Sequence, residues 1–564
     1  MRTTVFLLLF LTACDHTAKA TAPVAAAAAT DAAADSAAPP DASSAVALPA
    51  ACGVAAAQAC NPFDGHGCDA GKTCDLAADG TWQCLPGGDA AEGAPCDGLQ
   101  GPFCGDGLSC VGTTTGKATC ARLCCGDGDC AGAKCSALHA MGDSAGKVGV
   151  CGANPPATVV LGNQPALVEG RGHIVTWTSW RKALALQMAW YANTCPDVGG
   201  YPLLASATHW GGDCKPDPTT EVIAALQCGT GILSNLAYDA FAEHDNPLWL
   251  QHARRLGDYL LKEAVTPSDG LWPGVFRSTG EAMVFPQPPD CGMKADPPYE
   301  TEPDKLGLAG IALLQLADVT GEQKYADAAL HQAVVLAANI TEANATTSPW
   351  PFRVDWRDGS SWEPISGNMV YNLRLFDVLI AKGHTELQPT HDKLWTWMRD
   401  VQIPNAAGDG TLWAEFFEDW FIQTNRNAWA PLSTASYLME RREALDPDWK
   451  KHADILLTFV EKNFIDVKQG WPVCIEQDMD RKPFGGILST YAAAEARWAQ
   501  LTGDSERRGR AYTATALLIQ SVGSDGCPAD RALNTGCGGW QEDAHTDRVH
   551  NLLAVLAAFP QWAD

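Results

Sequence analysis

Three carboxylates occupy the same slot in successive stretches of the chain. Asp355, Glu418 and Glu476 each lie five residues after a tryptophan, in "WPFRVD", "WAEFFE" and "WPVCIE". In two further stretches, after Trp272 and Trp540, that slot holds Arg277 and His545. Paired carboxyl groups suit the cleavage of an acetal: one protonates the leaving oxygen, the other acts as base on water or as nucleophile. Glu542 and Asp543, in "GCGGWQEDAHTDRVHN", join the candidate catalytic acids. Glu300, Glu302, Asp304, Asp419 and Asp478 are acids close by in sequence, and Asp304, just after Pro303, suits a helix first turn.

Aromatic rings stack on the apolar faces of sugars, while amides and cations bond their hydroxyls and carboxylates. Trp272, Trp350, Trp413, Trp471 and Trp540 are therefore candidate substrate contacts, with Trp210 as a sixth loop tryptophan. Arg353, Asn425, Arg426 and His545 are candidate polar contacts. Asp543, Asp547 and His550 fall at i, i+4 and i+7, one stripe of a helix. No spacing matches a zinc helix of the H-E-x-x-H type, so no metal is assigned and no cofactor is expected.

The elements that must position these residues are helical. From about residue 173 the periodicity predicts twelve helices, near 175–193, 219–242, 247–264, 303–318, 323–340, 366–382, 386–402, 427–443, 446–464, 484–501, 505–522 and 543–558. Their connections alternate. Short turns such as "DVTGEQKY" and "QLTGDSER" alternate with long loops, and each long loop carries one of the tryptophans. The intervals between those tryptophans are 62, 78, 63, 58 and 69 residues, a loose period of helix pairs. Six hairpins of this kind close into a double ring with all long loops at one end. The Ala- and Gly-rich "KLGLAGIALLQLA" and "FGGILSTYAAAEA" suit the crowded inner ring.

With its alternating helices, "TGEQKY" and "TGDSER" turns and Trp-bearing loops, the chain resembles the six-hairpin glycosidase superfamily, the (α/α)6 toroid. The resemblance spans roughly the last 390 residues. It implies a mainly α fold and a funnel for a glycan, an oligo- or polysaccharide; the superfamily includes glycosidases, lyases and epimerases, and fold alone does not select among them.

The N-terminal part reads differently. In "MRTTVFLLLFLTAC" a short apolar run ends at Leu11-Thr12-Ala13-Cys14, which resembles a bacterial lipoprotein signal. That implies removal of residues 1–13, lipidation of Cys14, a membrane anchor and a place in the cell envelope facing the periplasm or the exterior. Residues 14–51 are Ala-rich with Pro, Ser, Thr and Asp, a disordered tether. Residues 52–151 hold 14 of the 22 cysteines, the density of a disulfide scaffold. Cys60, Cys68, Cys74 and Cys84 recur 36 residues later as Cys96, Cys104, Cys110 and Cys120. A looser third unit uses Cys125, Cys130, Cys135 and Cys151. This module reads as a stalk or a binding element for an unknown partner. Residues 152–172 are taken as linker and 173–564 as toroid. Within the toroid, Cys527 is expected to pair with Cys537, and Cys195 with Cys214.

The net charge of −27, without a basic stripe, argues against nucleic-acid binding. Three functions compete: glycoside hydrolysis by paired carboxylates; a lyase or epimerase using Tyr or His with a cation, for which Tyr371, His384, Arg353 and Arg426 are available; and non-catalytic binding of a glycan or protein.

Overall fold

The protein is described by a computed structural model at residues 52, 60–112, 118–142, 146–152, 158–194, 209–210, 224–278, 298–361, 363–415, 424–479, 481–537, 539–540 and 547–564. The signal segment, Cys14, the tether, Cys195 and Cys214 lie outside the described residues. The chain divides into two compact units, Met1–Ala157 with Val168–His173, and Thr158–Leu167 with Ile174–Asp564.

The first unit is held by disulfides. Cys60–Cys74 and Cys68–Cys84 close loops with separations of 14 and 16 residues, and Cys96–Cys110 and Cys104–Cys120 repeat both separations. Each repeat carries one antiparallel hairpin, Lys72–Leu76 with Trp82–Pro86 and Leu108–Val111 with Thr119–Cys124. The third unit departs from its expected first cysteine. Cys124, not Cys125, takes that slot by pairing with Cys135, Cys130 pairs with Cys151, and Cys125 reaches back to Cys52. Covalent links stand in for a core that is small, with Leu76, Trp82, Leu123, Leu138 and Val150 among its apolar members.

The second unit opens with a correction. Part of the expected linker is a strand pair: Thr158–Leu161 runs antiparallel to the strand beginning at Gln164, across a Gly162-Asn163 turn. The β-branched Thr-Val-Val run before Gly-Asn carries the signal for it.

Twelve helices follow among the described residues: α1 (Trp180–Thr194), α2 (Ala224–Phe241), α3 (Leu248–Glu263), α4 (Pro303–Thr320), α5 (Gln323–Ala338), α6 (Val370–Ala381), α7 (Gln388–Trp397), α8 (Trp429–Arg441), α9 (Trp449–Phe464), α10 (Gly485–Thr502), α11 (Ser505–Gln520) and α12 (Asp547–Ala558). α7 runs on through a π turn at Met398–Gln402. The even-numbered helices form the inner ring: α2 packs on α4, α4 on α6, α6 on α8, α8 on α10, α10 on α12 and α12 back on α2. This is the expected (α/α)6 toroid.

Two features of the sequence build it. Tight turns return the chain from inner to outer helix: Gly321 and Gly503 sit at φ 72° and 77°, each donating its N–H to the carbonyl four residues back. Small residues then let the inner helices touch. A Cβ on Gly307 of α4 would lie 2.5 Å from the Asn372 nitrogen of α6. The outer helices are amphipathic; α3 buries Trp249, Ala253, Leu256, Gly257 and Leu260 on one stripe. No helix among the described residues is long and apolar enough to cross a membrane.

Four of the loop tryptophans are structural. Trp350, Trp413 and Trp471 are fully buried and Trp272 is 3% exposed, so they present no face to a sugar. They fill the crossing from outer to inner ring; the Trp350 indole donates to the Leu336 carbonyl at 3.0 Å and packs near Phe376. Burial thus corrects their expected substrate role, since a ring of this size removes far more apolar area by packing than by a solvent-facing contact. Trp540 is placed through its backbone alone, paired with His209.

The close α4–α6 approach sets the first prediction. Gly307→Ala should cost about 1–3 kcal/mol, as overpacking does, read as a lower urea midpoint with an unchanged m-value.

Candidate functional site

All six inner helices start at the loop end, so their first turns and the loops before them share one rim. The loops are stitched to each other by backbone bonds. Glu300–Thr301 pairs with Val354–Asp355, the Gly367 N–H donates to the Glu415 carbonyl, and Asn427 bridges Gln477. Phe484 bridges Arg531, and His209–Trp210 pairs with Gly539–Trp540.

One side of the rim is a buried charge network. Arg353 lies 3.0 Å from Glu363 and 3.8 Å from Glu300. Lys305 is paired with Asp304 at 3.1 Å, with both groups buried. Both cations lie over the Phe352 ring, the Lys305 nitrogen at 5.1 Å and the Arg353 guanidinium at 4.8 Å. The Glu302 carboxylate accepts from the Ser278 hydroxyl at 3.0 Å. Glu415, at φ 51°, accepts from the Ile365 N–H at 3.2 Å. Burial first, and then the charge of Glu363, push Glu300 and Glu415 each up to about 8. Glu363 and Glu415 did not stand out in the sequence, because both fall outside the five-residue slot after a tryptophan.

Several expected substrate contacts are committed within the protein. Asp355 binds Arg357 at 2.6 Å and accepts the Arg357 N–H at 2.9 Å, which holds its carboxyl below the usual range. It therefore anchors a turn. Arg353 is enclosed by acids, Arg426 binds Asp478 at 2.7 Å, and the Asn425 amide donates to Gln477 at 2.7 Å. These latter two clamp the loop before α8 to the loop before α10. Glu418, Glu542, Asp543 and His545 lie outside the described residues.

Among the described residues, the partly exposed starts of inner helices belong to α6, α8 and α12. Tyr371, Arg374, Trp429, Ser433, Asp547, His550 and Asn551 keep partial exposure there, whereas the facing turns of α4 and α10 are nearly closed. The Tyr371 hydroxyl meets Ser433 and feels Arg374 and Asp547. Trp429, one turn before Ser433, donates its indole N–H to Glu476 at 3.2 Å, and the Gln477 amide donates to the same carboxylate at 3.1 Å. Deeper, Arg374 pairs with Glu440 at 2.7 Å and lies over the Tyr437 ring. Asn551 donates to the Ser489 and Thr490 hydroxyls at 3.1 and 2.8 Å.

Enclosure tunes these groups. Desolvation raises the Asp547 carboxyl to about 7. His550, desolvated and near Arg374, falls to about 4 and is a neutral imidazole at pH 7. An acid that keeps its proton near neutrality is suited to general acid catalysis. The cysteine triads close enough to hold a metal are all tied up in disulfides, so they offer no thiolate. Cys527 and Cys537 are bridged as expected, while Cys228 and Cys474 are buried thiols outside the disulfides.

No family model matches the chain, and no curated protein matches it. Among solved structures it is similar to a cellobiose 2-epimerase from Spirochaeta thermophila, with 14% identity over 68% of this chain and 96% of that one, TM-score 0.48. It is similar to a D-mannose isomerase at 13% identity over 67% and 96%, TM-score 0.46. An α-mannanase of glycoside hydrolase family 76 from Bacteroides thetaiotaomicron is 9% identical over 68% and 96%, TM-score 0.45. The toroid assigned above rests on the closure of the helix ring itself.

The raised carboxyls predict how stability varies with pH. Glu300, Glu415 and the buried Glu495 of α10, which accepts from Arg507 at 2.9 Å, rise to about 8 and Asp547 to about 7, so the folded chain holds these protons to higher pH than the unfolded chain does. Stability therefore falls as pH rises through that range. The depressed His550 acts in the opposite sense only below its ordinary value of 6.5. Thermal midpoints should drop between about pH 6.5 and 8, and Glu415→Gln should flatten the slope.

Proposed function

We propose that the toroid binds a saccharide at its loop end and hydrolyses a glycosidic bond. The observation that carries this reading is the patch at the starts of α6, α8 and α12 where Tyr371, Trp429, Ser433, Asp547 and His550 keep partial exposure. Asp547 protonates the leaving oxygen. Glu476, held by Trp429 and Gln477, is the second carboxylate, serving as base on water or as nucleophile. The partly exposed Trp429 takes the stacking role that the buried tryptophans cannot. A second reading, epimerisation or lyase chemistry, is favoured by one observation: the Tyr371 hydroxyl and the neutral His550 imidazole lie beside the same Arg374.

Products separate the two. Incubation with a panel of polysaccharides, analysed by mass, should yield saturated fragments that have gained one water. Unsaturated ends, or an unchanged mass with inverted sugar, would replace hydrolysis with the second reading. Asp547→Asn and Glu476→Gln should each lower turnover ~10²–10⁴-fold with glycan binding retained. Full activity in both variants would remove these acids from the mechanism.

The same proposal places the protein in the cell envelope, lipidated at Cys14. The bridges of the cysteine module support export, since such links persist in oxidising compartments. Cys14→Ser should move the protein from the membrane fraction to the soluble one, read by fractionation of cells.

A further inference from the structure

An inner helix of the ring has outer helices behind it and an inner helix on each side, so the side it leaves open faces the ring axis. On α12 that side is the stripe Asp547, Asn551 and Ala554, which keeps exposure, while Val549, Leu552 and Leu556 opposite it are buried. Arg374 of α6, Ser436 and Glu440 of α8, and Arg497 of α10 are partly exposed on three successive inner helices. Glu440 and Arg497 stand in the last two turns of their helices, toward the short-turn end and away from the proposed reaction site.

These charges do not balance. Arg374 pairs with Glu440 at 2.7 Å, with side chains 24% and 20% exposed. Arg497 makes no ion pair among the described residues, and its buried Nε has no hydrogen-bond partner. The field of Glu440 attracts Arg497, while Arg442 and Arg374 oppose it. The Arg374 Nε is unpartnered too, as is the buried hydroxyl of Tyr437, whose ring lies under the Arg374 guanidinium. Other acids on neighbouring elements are committed. Asp377 meets Arg441 at 3.4 Å and His391 at 3.2 Å, and Glu443 accepts from the Trp449 indole at 2.8 Å. Glu495, two residues from Arg497 and so on the far face of α10, binds Arg507 at 2.9 Å. Positive charge is thus in excess around Arg497, and donors outnumber acceptors. Guanidinium groups stay protonated and match oxyanions with two parallel N–H bonds. The chain as a whole carries −27 and repels anions, so an anion site in it requires such a local excess of cation.

We infer that Arg497 and Arg374, on the axis sides of α10 and α6, form a binding site for an oxyanion: a carboxylate, sulfate or phosphate group. Arg497 supplies the uncommitted guanidinium, and Arg374 the nitrogens that Glu440 does not take. The site lies beyond the proposed reaction site and does not depend on hydrolysis there. A sugar acid and a free inorganic anion carry the same chemistry, and the test separates them.

Isothermal titration calorimetry on the full chain, at constant ionic strength set with chloride, measures sulfate, phosphate, glucuronate and galacturonate, with glucose as the uncharged control. Wild type should bind at least one of the four anions saturably, with a Kd on the order of 1 mM or below and at least about tenfold more tightly than glucose. Arg497→Gln should weaken that binding at least about tenfold. Arg497→Lys, which keeps the charge but lacks the planar fork, should weaken it at least about threefold. Arg122→Gln, which removes an exposed arginine of the cysteine module, should change it less than about twofold. A uronate bound at least about tenfold more tightly than sulfate and phosphate supports the site and assigns it to an acidic sugar. Sulfate or phosphate bound as tightly as the uronates supports the site and assigns it to a free anion. No saturable binding of any of the four by wild type overturns the inference. Unchanged affinity in either Arg497 variant whose thermal midpoint shows it folded overturns it as well. Neither result bears on the cleavage assay, which reads products rather than anion affinity.

Discussion

Everything at the loop end depends on how closely the inner helices approach one another. Gly307 and Gly310 of α4 lie against the backbone of α6 and the side chain of Leu375, and Gly229 of α2 lies against the backbone of α4. Larger residues there would push the helices apart and open the ring. With the ring closed, six helix starts gather around one space, and their unpaired N–H groups make that end favourable for negative charge. Asp304 and Asp547, each in the first turn of an inner helix, sit where that field is strongest.

The field does not remove the cost of burying acids, and the structure answers it in two ways. Some carboxylates are matched with cations, as Glu363 is with Arg353 and Asp304 with Lys305. Others keep their protons, as Glu300, Glu415 and Asp547 do up to about neutrality or beyond. A pair with one partner deleted leaves an uncompensated charge in low dielectric, so these contacts constrain the rim even where their net stabilisation is small.

The twelve helices were legible because their signals are local: periodicity, a stopping glycine in "TGEQKY" and "TGDSER", and small residues on inner faces. The even tryptophan spacing was legible too, but its meaning was not. Periodicity marks equivalent positions in a repeat without saying whether those positions face water, and Trp350, Trp413 and Trp471 face the interior of the wall. The acids show the same limit. Asp547 lay on a visible helical stripe with His550, whereas Glu363 and Glu415 meet only because two loops distant in sequence bond to each other. Arg426 and Asn425 read as ligand-binding groups for the opposite reason, because their partners, Asp478 and Gln477, lie about fifty residues away.

The stitching of neighbouring loops has an evolutionary consequence. In a scaffold whose loops are independent, each can lengthen, shorten or drift while the others hold the site. Here the strand at Glu300–Thr301 needs its counterpart at Val354–Asp355, and Asn427 needs Gln477. A change in one loop that disturbs its backbone pairing is passed to the next. Divergence of such a rim would proceed by paired, compensating changes in adjacent hairpins, with solitary insertions confined to the stretches between the stitches.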